Sequence, residues 1–486
     1  MTRNVLCLSR SYLANLLPTL GQRHAGARYL HIVQTDAEAR KVAALGGEVI
    51  LNIEAVVREG LKASSPPVWH EPVDMREVTG FNWSAVQSDR YLPHFPNDTR
   101  LRIAGILDSA IQDIFERYRF DAFLSEPVAL FVTHLLFYYC RKHGTKPLLW
   151  GNTYFPDYFY FSDATNMSVP TRSGAMTDGA ALKTVVERYV GGVVGDTAGP
   201  AYHYAFSGVK NTRLGYFKQR RGEMPLVLKP GLVSIGLQAV RLARALFKRA
   251  TFPGFSDFLT AGSVSEHARY MRSLLTSPRI YDQLPEATSP NNVVYPLQYE
   301  PEASLLYYAP EIVSQTSFVE TILKALPEGK LLWVKEHPNQ FGALGLKPWR
   351  EIKARHANLR FIHGRQSGRE LLKRAGLCVT ISSTMGMDAL LLGRRVLVAG
   401  NVFFSGYPGT AALQSYADMN RFLNTDAAYA SQNEREALTA RLVDFGSRCY
   451  AGDPQPSQGL FDPANLDKLV AAIDNELPPA PETASQ

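Results

Sequence analysis

The chain predicts an α/β protein made of two Rossmann-like, doubly wound domains facing a cleft, with a helical connecting segment. Three observations point there. Its 486 residues exceed what one ordinary core organises, so two or three domains are expected. Short apolar runs alternate with helical periodicity over residues 1–200 and again from Asn291, the pattern of parallel sheets covered by helices. The stretch between these regions is helical and basic in character.

In the N-terminal region Asn4 to Leu8 and Tyr29 to Gln34 read as strands. Asp36 to Leu45 reads as a helix closed by Gly46-Gly47, and Glu48 to Ile53 resumes strand character. Arg100 to Arg119 is helical, Phe120 to Leu124 a strand, Pro127 to Lys142 a buried helix, and Leu148 to Trp150 a strand. Ser162 to Ala201 is rich in Gly, Ser and Thr without a clean period and reads as a loop or insertion. Gly231 to Ala250 has Arg241, Arg244 and Lys248 at helical spacing opposite Leu, Val and Phe. It is either a packed inter-domain helix with a solvated basic face or a membrane-surface helix.

From Asn291 the order repeats. Val293 to Pro296, Lys330 to Lys335, Phe361-Ile362, Leu377 to Ile381 and Arg395 to Ala399 are strands. Ala303 to Leu326, Gly368 to Ala375 and Met385 to Leu392 are helical, and Thr410 to Val470 is mainly helical. The expected division is 1–200, a connecting segment 201–290, a second α/β domain 291–410, and C-terminal helices and tail 411–486. In such sheets ligands bind outside the carboxyl ends of the strands.

Composition narrows the class. Hydrophobic residues at 45% and charged residues at 20% exclude wholesale disorder. The net charge of +7 suits an anionic ligand or membrane surface. No arginine-rich tract or zinc spacing favours nucleic acid, so no nucleic-acid partner is expected. Four dispersed cysteines without a CxxC pair fit reduced, buried thiols in the cytoplasm. The N-terminus lacks the long apolar region of a signal peptide. The longest apolar run, Pro127 to Cys140, is too short to span a bilayer, so any contact with the inner membrane is expected to be peripheral.

Chemistry gathers at strand ends. Lys335-Glu336-His337-Pro338 directly follows an apolar strand and offers two donor or cationic groups, with Pro338 restricting the backbone. A surface loop with an incidental histidine is the plain alternative. Thr380-Ile381-Ser382-Ser383-Thr384-Met385-Gly386 stands where a strand yields to a helix. Its hydroxyls and first-turn N–H groups form a phosphate cradle, and Gly386 would allow close approach. Ordinary N-capping needs only one of these hydroxyls. Gln298 and Glu302, after another strand, supply an amide and a carboxylate for donor or acceptor, and Asn401 follows a fourth. In the N-terminal domain Glu126 is the candidate base for an acceptor hydroxyl, or else a charge complementing a helix dipole. Asp157 and Asp163 are weaker alternatives. The aromatic run Tyr154-Phe155 and Tyr158 to Phe161 is either a stacking wall or core.

There is no DxD pair, P-loop, HExxH or GxSxG. No metal or cofactor is expected, and a departing phosphate would be met by Lys335, His337 and a helix N-terminus.

Tyr295 to Ser304 (YPLQYEPEAS), Val334 to Pro338 (VKEHP) and Thr380 to Asn401 (TISSTMGMDALLLGRRVLVAGN) together resemble the capsule polysaccharide biosynthesis proteins. These are bacterial surface-carbohydrate glycosyltransferases that include the capsular Kdo transferases. More distantly the pattern is similar to bacterial sialyltransferases with an HP motif. The resemblance covers Asn291 to Phe404 well and the N-terminal domain in outline. It implies a GT-B-like fold and a CMP-activated or other nucleotide-activated sugar as donor. It also implies a phosphate contact at His337, a hydroxyl-rich turn at Ser382, Ser383 and Thr384, and a glutamine motif at Gln298. It supplies no match for the catalytic carboxylate. The expected function is glycosyl transfer to a polysaccharide or glycolipid acceptor, with contact to an export complex as a further expectation. The rivals are a CDP-alcohol glycerol- or ribitol-phosphate transferase and a non-catalytic component of polysaccharide assembly or export.

Overall fold

A computed structural model describes residues 2–81, 89, 91–153, 157–167, 170–171, 179–195, 280–300, 304–337, 343–364, 366–425, 430–456 and 459–477, with a few positions between 239 and 247. The described strands are β1 (Arg3–Leu8), β2 (Ala27–Val33), β3 (Glu48–Asn52), β4 (Ala122–Ser125), β5 (Lys146–Asn152), β6 (Tyr158–Ser162), β7 (Asn292–Pro296), β8 (Leu331–Lys335), β9 (Leu359–Ile362), β10 (Leu377–Thr380), β11 (Arg395–Val398), β12 (Thr410–Ala412) and β13 (Tyr450–Ala451). They form two sheets, ordered β13-β6-β5-β4-β1-β2-β3 and β12-β11-β10-β7-β8-β9. The predicted class, two doubly wound α/β units, is the one observed.

In the first sheet β3, β2, β1, β4 and β5 run parallel, while β6 and β13 are antiparallel additions at one edge. Val5 to Leu8 and all of β4 are buried, as strands covered on both faces must be. The order reverses between β1 and β4. In the second sheet every pairing is parallel, and the reversal lies between β7 and β10. Those two reversals open the crevices where a doubly wound sheet takes its ligands.

The chain divides into two units, 1–173 with 245–263 and 449–486, and 174–244 with 264–448. Several expectations change at this level. The stretch read as a loop from Ser162 to Ala201 contains the helix Gly179–Val194, which packs on the helix Gln432–Ser447 of the second unit. Thr410 to Val470 is not helical throughout, since it contributes β12 and β13. The helix expected over Ala303 to Leu326 is interrupted. One π turn spans Ser304–Tyr308, and the helix proper, Gln315–Ala325, starts where Ser314 caps it by accepting from Ser317 N–H. Pro310 in the gap has no N–H to donate and cannot continue a helix.

The buried helix begins at Phe131, four residues later than read. Its first N–H donates to the distant Asp89 carboxylate at 2.7 Å, and Thr133 Oγ1 accepts from the N–H groups of Ala129 and Leu130. That local network satisfies groups a helix start leaves orphaned. The aromatics of β6 are core. Phe161 lies 4.9 Å from Trp150 and 5.8 Å from Tyr450, centroid to centroid, and Phe159 and Phe161 are fully buried. Tyr154 and Phe155 lie outside the described residues. All four cysteines are buried and free. Among the described residues no helix is long and apolar enough to cross a membrane.

Candidate functional site

Four neighbouring strand ends of the second sheet, in the order β11-β10-β7-β8, carry most of the predicted residues. The central pair is Gln298, after β7, and Ser382, after β10. Ser382 Oγ donates to Gln298 Oε1 at 3.2 Å, so the predicted residues meet across the reversal of strand order. Gln298 is 5% exposed. Its backbone N–H donates to Gln315 Oε1 at 2.6 Å, and its carbonyl accepts from Gln315 Nε2 at 3.0 Å. Tyr295 Oη donates to the same Gln315 oxygen. The loop is thus clamped, and the side chain points where the clamp sends it. Among the described residues Gln298 Nε2 is buried without a hydrogen-bond partner. A buried amide N–H left unpaired is unfavourable by about 1–3 kcal/mol.

The hydroxyls of the next turn divide their roles. Ser383 Oγ caps the helix Thr384–Leu391, accepting from Met385 N–H at 3.3 Å. Buried Thr380 Oγ1 accepts from Ser383 N–H at 3.0 Å. These two serve the turn. Ser382 serves Gln298, and Thr384 at the first helical position is left at the positive end of the helix dipole. Gly386 calls for a correction. A Cβ there would lie 2.8 Å from Thr380 Cγ2 and 3.1 Å from Phe404 Cζ, so its small size serves packing against protein and not the approach of a ligand.

The β8 segment also differs from expectation. Lys335 is 5% exposed, and its Nζ donates to the carbonyls of Gly364 at 3.0 Å and Glu336 at 3.3 Å. Burial lowers its pKa to about 8 against the opposing pull of Glu336. The ammonium is tied inward and holds the loop in place of projecting toward a ligand. Glu336 is 1% exposed and accepts from Tyr281 Oη at 3.0 Å and from Gly364 N–H at 3.4 Å. Gly364 is required, since a Cβ would lie 2.7 Å from the His337 carbonyl oxygen. On this support stands His337, half-buried, its ring edge-on to Tyr299 at 5.8 Å. Burial first, then the Lys335 charge, pushes its pKa down to about 4. At neutral pH the imidazole is uncharged, so it can meet an anion as an N–H donor, not as a standing cation.

Asn401, after β11, donates its backbone N–H to Tyr308 O at 2.7 Å and keeps an exposed side chain. Glu302 and Pro338 lie outside the described residues.

In the first unit Glu126 directly follows β4. Its Oε2 accepts from Arg10 Nε at 2.8 Å, and both side chains are largely buried. Arg10 follows β1, so this ion pair bridges the reversal between β1 and β4. Glu126 is committed to an arginine through one oxygen, and Oε1 remains. Asp157 is a turn residue at φ 63° whose carbonyl accepts from Gly452 N–H. Asp163 is half-exposed and lies 3.9 Å from Arg141. Neither sits at the reversal.

Sequence reasoning passed over Arg10, Gln315, Tyr281 and Gly364. Gln315 left a signal, an amide on the same apolar face as Phe318, Val319 and Ile322. Among the described residues no cluster of three or more His, Cys, Asp or Glu could hold a metal ion.

Residues 245–434 match the family described as capsule polysaccharide biosynthesis protein. Protein FixF of Sinorhizobium fredii (strain NBRC 101917 / NGR234) is 28% identical over 120 residues, 24% of this chain. The match spans only 28% of that relative's length. Among solved structures, the Thermosulfurimonas dismutans KpsC beta Kdo 2,7 transferase aligns over 76% of this chain and 89% of its own, at 12% identity and a TM-score of 0.33. Anabaena Alr3699/HepE in complex with UDP-glucose aligns over 98% and 100%, at 11% identity and a TM-score of 0.33. Likenesses that faint say nothing about the site. The family match covers β7 to β12, the strands whose ends carry Gln298, His337, Ser382 and Asn401. Residues 245–434 of the chain are thus similar to the capsule polysaccharide biosynthesis proteins.

Proposed function

We propose that the chain is a glycosyltransferase that moves a sugar from a nucleotide sugar to a capsule or other surface polysaccharide or glycolipid acceptor. The observation that carries this reading is the buried Nε2 of Gln298, unpartnered among the described residues, beside Ser382, which precedes the helix Thr384–Leu391. An N–H donor, hydroxyls and a helix N-terminus at one reversal of strand order suit the oxyanions of a donor phosphate. His337, on the adjacent strand end, donates an N–H to the phosphate as charge builds on it in the transition state. Glu126, whose Oε2 is held by Arg10, is the proposed base for an acceptor hydroxyl. The motif resemblance favours a CMP-linked, Kdo-like donor.

A donor screen tests this. Purified protein is incubated with CMP-Kdo, CMP-sialic acid, UDP-glucose and CDP-glycerol, and the freed nucleotide is measured. Release of CMP from a CMP-sugar is the expected result. Release of CMP from CDP-glycerol would replace the reading with phosphoalcohol transfer. Failure of every nucleotide to raise the melting temperature would leave a non-catalytic role in assembly. His337→Ala should lower turnover by about two orders of magnitude, as does loss of one donor to a transition-state oxyanion. Wild-type turnover in that variant removes the residue from the mechanism.

A further inference from the structure

The turn after β1 carries a strain that joining a strand to a helix does not require. Ser11 has φ 54°, in the left-handed region that residues other than glycine seldom adopt. Such backbone persists only where its surroundings over-determine it, and here they do. On one side Ser9 is anchored. Its N–H donates to Ile32 O at 2.8 Å, and its Oγ lies 2.7 Å from His31 Nδ1, both residues being fully buried. On the other side Ser11 N–H donates to Glu38 Oε1 at 2.7 Å. Glu38 is itself fixed, since its Oε2 accepts from the N–H groups of Gln34 and Thr35 at the capped start of the helix Asp36–Ala44. Between these anchors stands Arg10, whose carbonyl accepts from Leu13 N–H at 3.0 Å. The register that pairs Cys7 with Leu124 carries Arg10 alongside Glu126, and its Nε donates to Glu126 Oε2 at 2.8 Å.

We propose that Ser9, Ser11 and His31 are positioning residues, which hold Arg10 against Glu126 so that the carboxylate is presented to the acceptor hydroxyl in one orientation. An arginine on a loose loop loses much of an ion pair's worth to the entropy of holding a long side chain still. A turn pinned at both ends has its backbone ordered already, and only the side chain is left to fix. The strained residue is where the two pins meet the start of the next helix. This inference rests on the reading of Glu126 as the base.

Double-mutant cycles on the full chain, read by unfolding in denaturant, test it without a substrate. Arg10→Gln should weaken folding about tenfold more with Glu126 in place than in a Glu126→Gln background. Ser11→Val changes an exposed side chain but cannot keep the left-handed backbone, and should abolish that excess. Ser11→Gly takes the same backbone freely and should preserve it, while Ser9→Ala should reduce it. No excess in the wild-type chain, or an excess undiminished in both Ser11→Val and Ser9→Ala, would overturn the proposal. Kinetics with a donor that releases nucleotide add a second readout. Ser11→Val should lower kcat about tenfold or more at unchanged donor KM, because the proposed donor contacts Gln298, Ser382 and His337 belong to the other unit. A wild-type kcat in that variant, or a donor KM raised as much as kcat is lowered, would also overturn it. Absence of turnover with every donor would fail the reading of Glu126 as a base, and the cycle would still report on the turn.

Discussion

At Gln298 the side-chain oxygen is engaged by Ser382 and the buried nitrogen has nothing to donate to among the described residues. Such a group weakens the empty protein and strengthens a complex that supplies an acceptor. Gln298→Leu is therefore expected to leave the melting temperature unchanged or slightly higher while nucleotide affinity falls about tenfold, the value of one buried hydrogen bond. Scanning calorimetry and calorimetric titration on one sample separate the two effects. The histidines make a second prediction. His31, His134 and His337 all have pKa values lowered to about 4, with burial the leading cause. Between about 6.5 and 4 the unfolded chain binds more protons at these positions than the folded one. Stability must then rise with pH across that window and be lost as pH falls through it, by up to about 1.4 kcal/mol per pH unit for each proton. Denaturant titrations from pH 4 to 7 check the slope, and His337→Gln should make it shallower.

At the scale of elements, the site rests on turns whose geometry leaves little room. The helix Thr384–Leu391 meets Thr380 and Phe404 at Gly386, where an added Cβ would lie 2.8 Å from Thr380. Gly386→Ala should cost about 1–3 kcal/mol through forced repacking, and Ser383→Ala about 1 kcal/mol through loss of the cap. Both read out as lowered melting temperatures. Arg369, 3.3 Å from Asp388 with both side chains largely buried, ties the preceding helix Gly368–Lys373 to this one. Much of this was legible in the residues: a serine before an apolar helix announces a cap, and an apolar strand followed by polar residues announces a ligand edge. The functions of Lys335 and Gly386 were not. Strand alternation does not tell which of two carbonyls a lysine will reach, and a glycine that admits a ligand is written like one that admits a phenyl ring.

At the scale of the whole molecule, the chain leaves its first unit and returns to it. Residues 449–486 add β13 to the first sheet, and their helix, Pro463–Glu476, packs Leu466, Leu469 and Ile473 into the core around Leu13, Leu16 and Leu20. Glu476 secures the closure. Burial raises its pKa, but hydrogen bonds from Lys146, Tyr450 and Thr171 outweigh it and hold the carboxyl below its usual value. Glu476→Ala should cost about 2–4 kcal/mol by stranding these donors. Deleting 449–486 removes several buried leucine and isoleucine side chains worth about 1.5–3 kcal/mol each, enough to consume the roughly 5–15 kcal/mol that holds a domain folded. The truncated chain is expected to lose the unfolding transition of its first unit, seen by calorimetry.

The sequence by itself determined the two α/β units, the strand ends that bear Gln298, His337 and Ser382, and the likeness of residues 245–434 to the capsule polysaccharide biosynthesis proteins. These follow from short-range patterns: apolar runs of strand length, capping residues and motifs read along the chain. Only the tertiary structure decided that Gln298 meets Ser382, that Arg10 holds Glu126, and that the last helix belongs to the first unit. Each of these joins residues separated by tens to hundreds of positions, and strand order, which no local pattern encodes, sets which ends become neighbours. The same holds for Lys335-Glu336-His337. Its place after a strand was readable, but three neighbouring side chains took three tasks, a lysine tying carbonyls, a glutamate bracing the loop and a histidine left at the site, because each was desolvated by different neighbours.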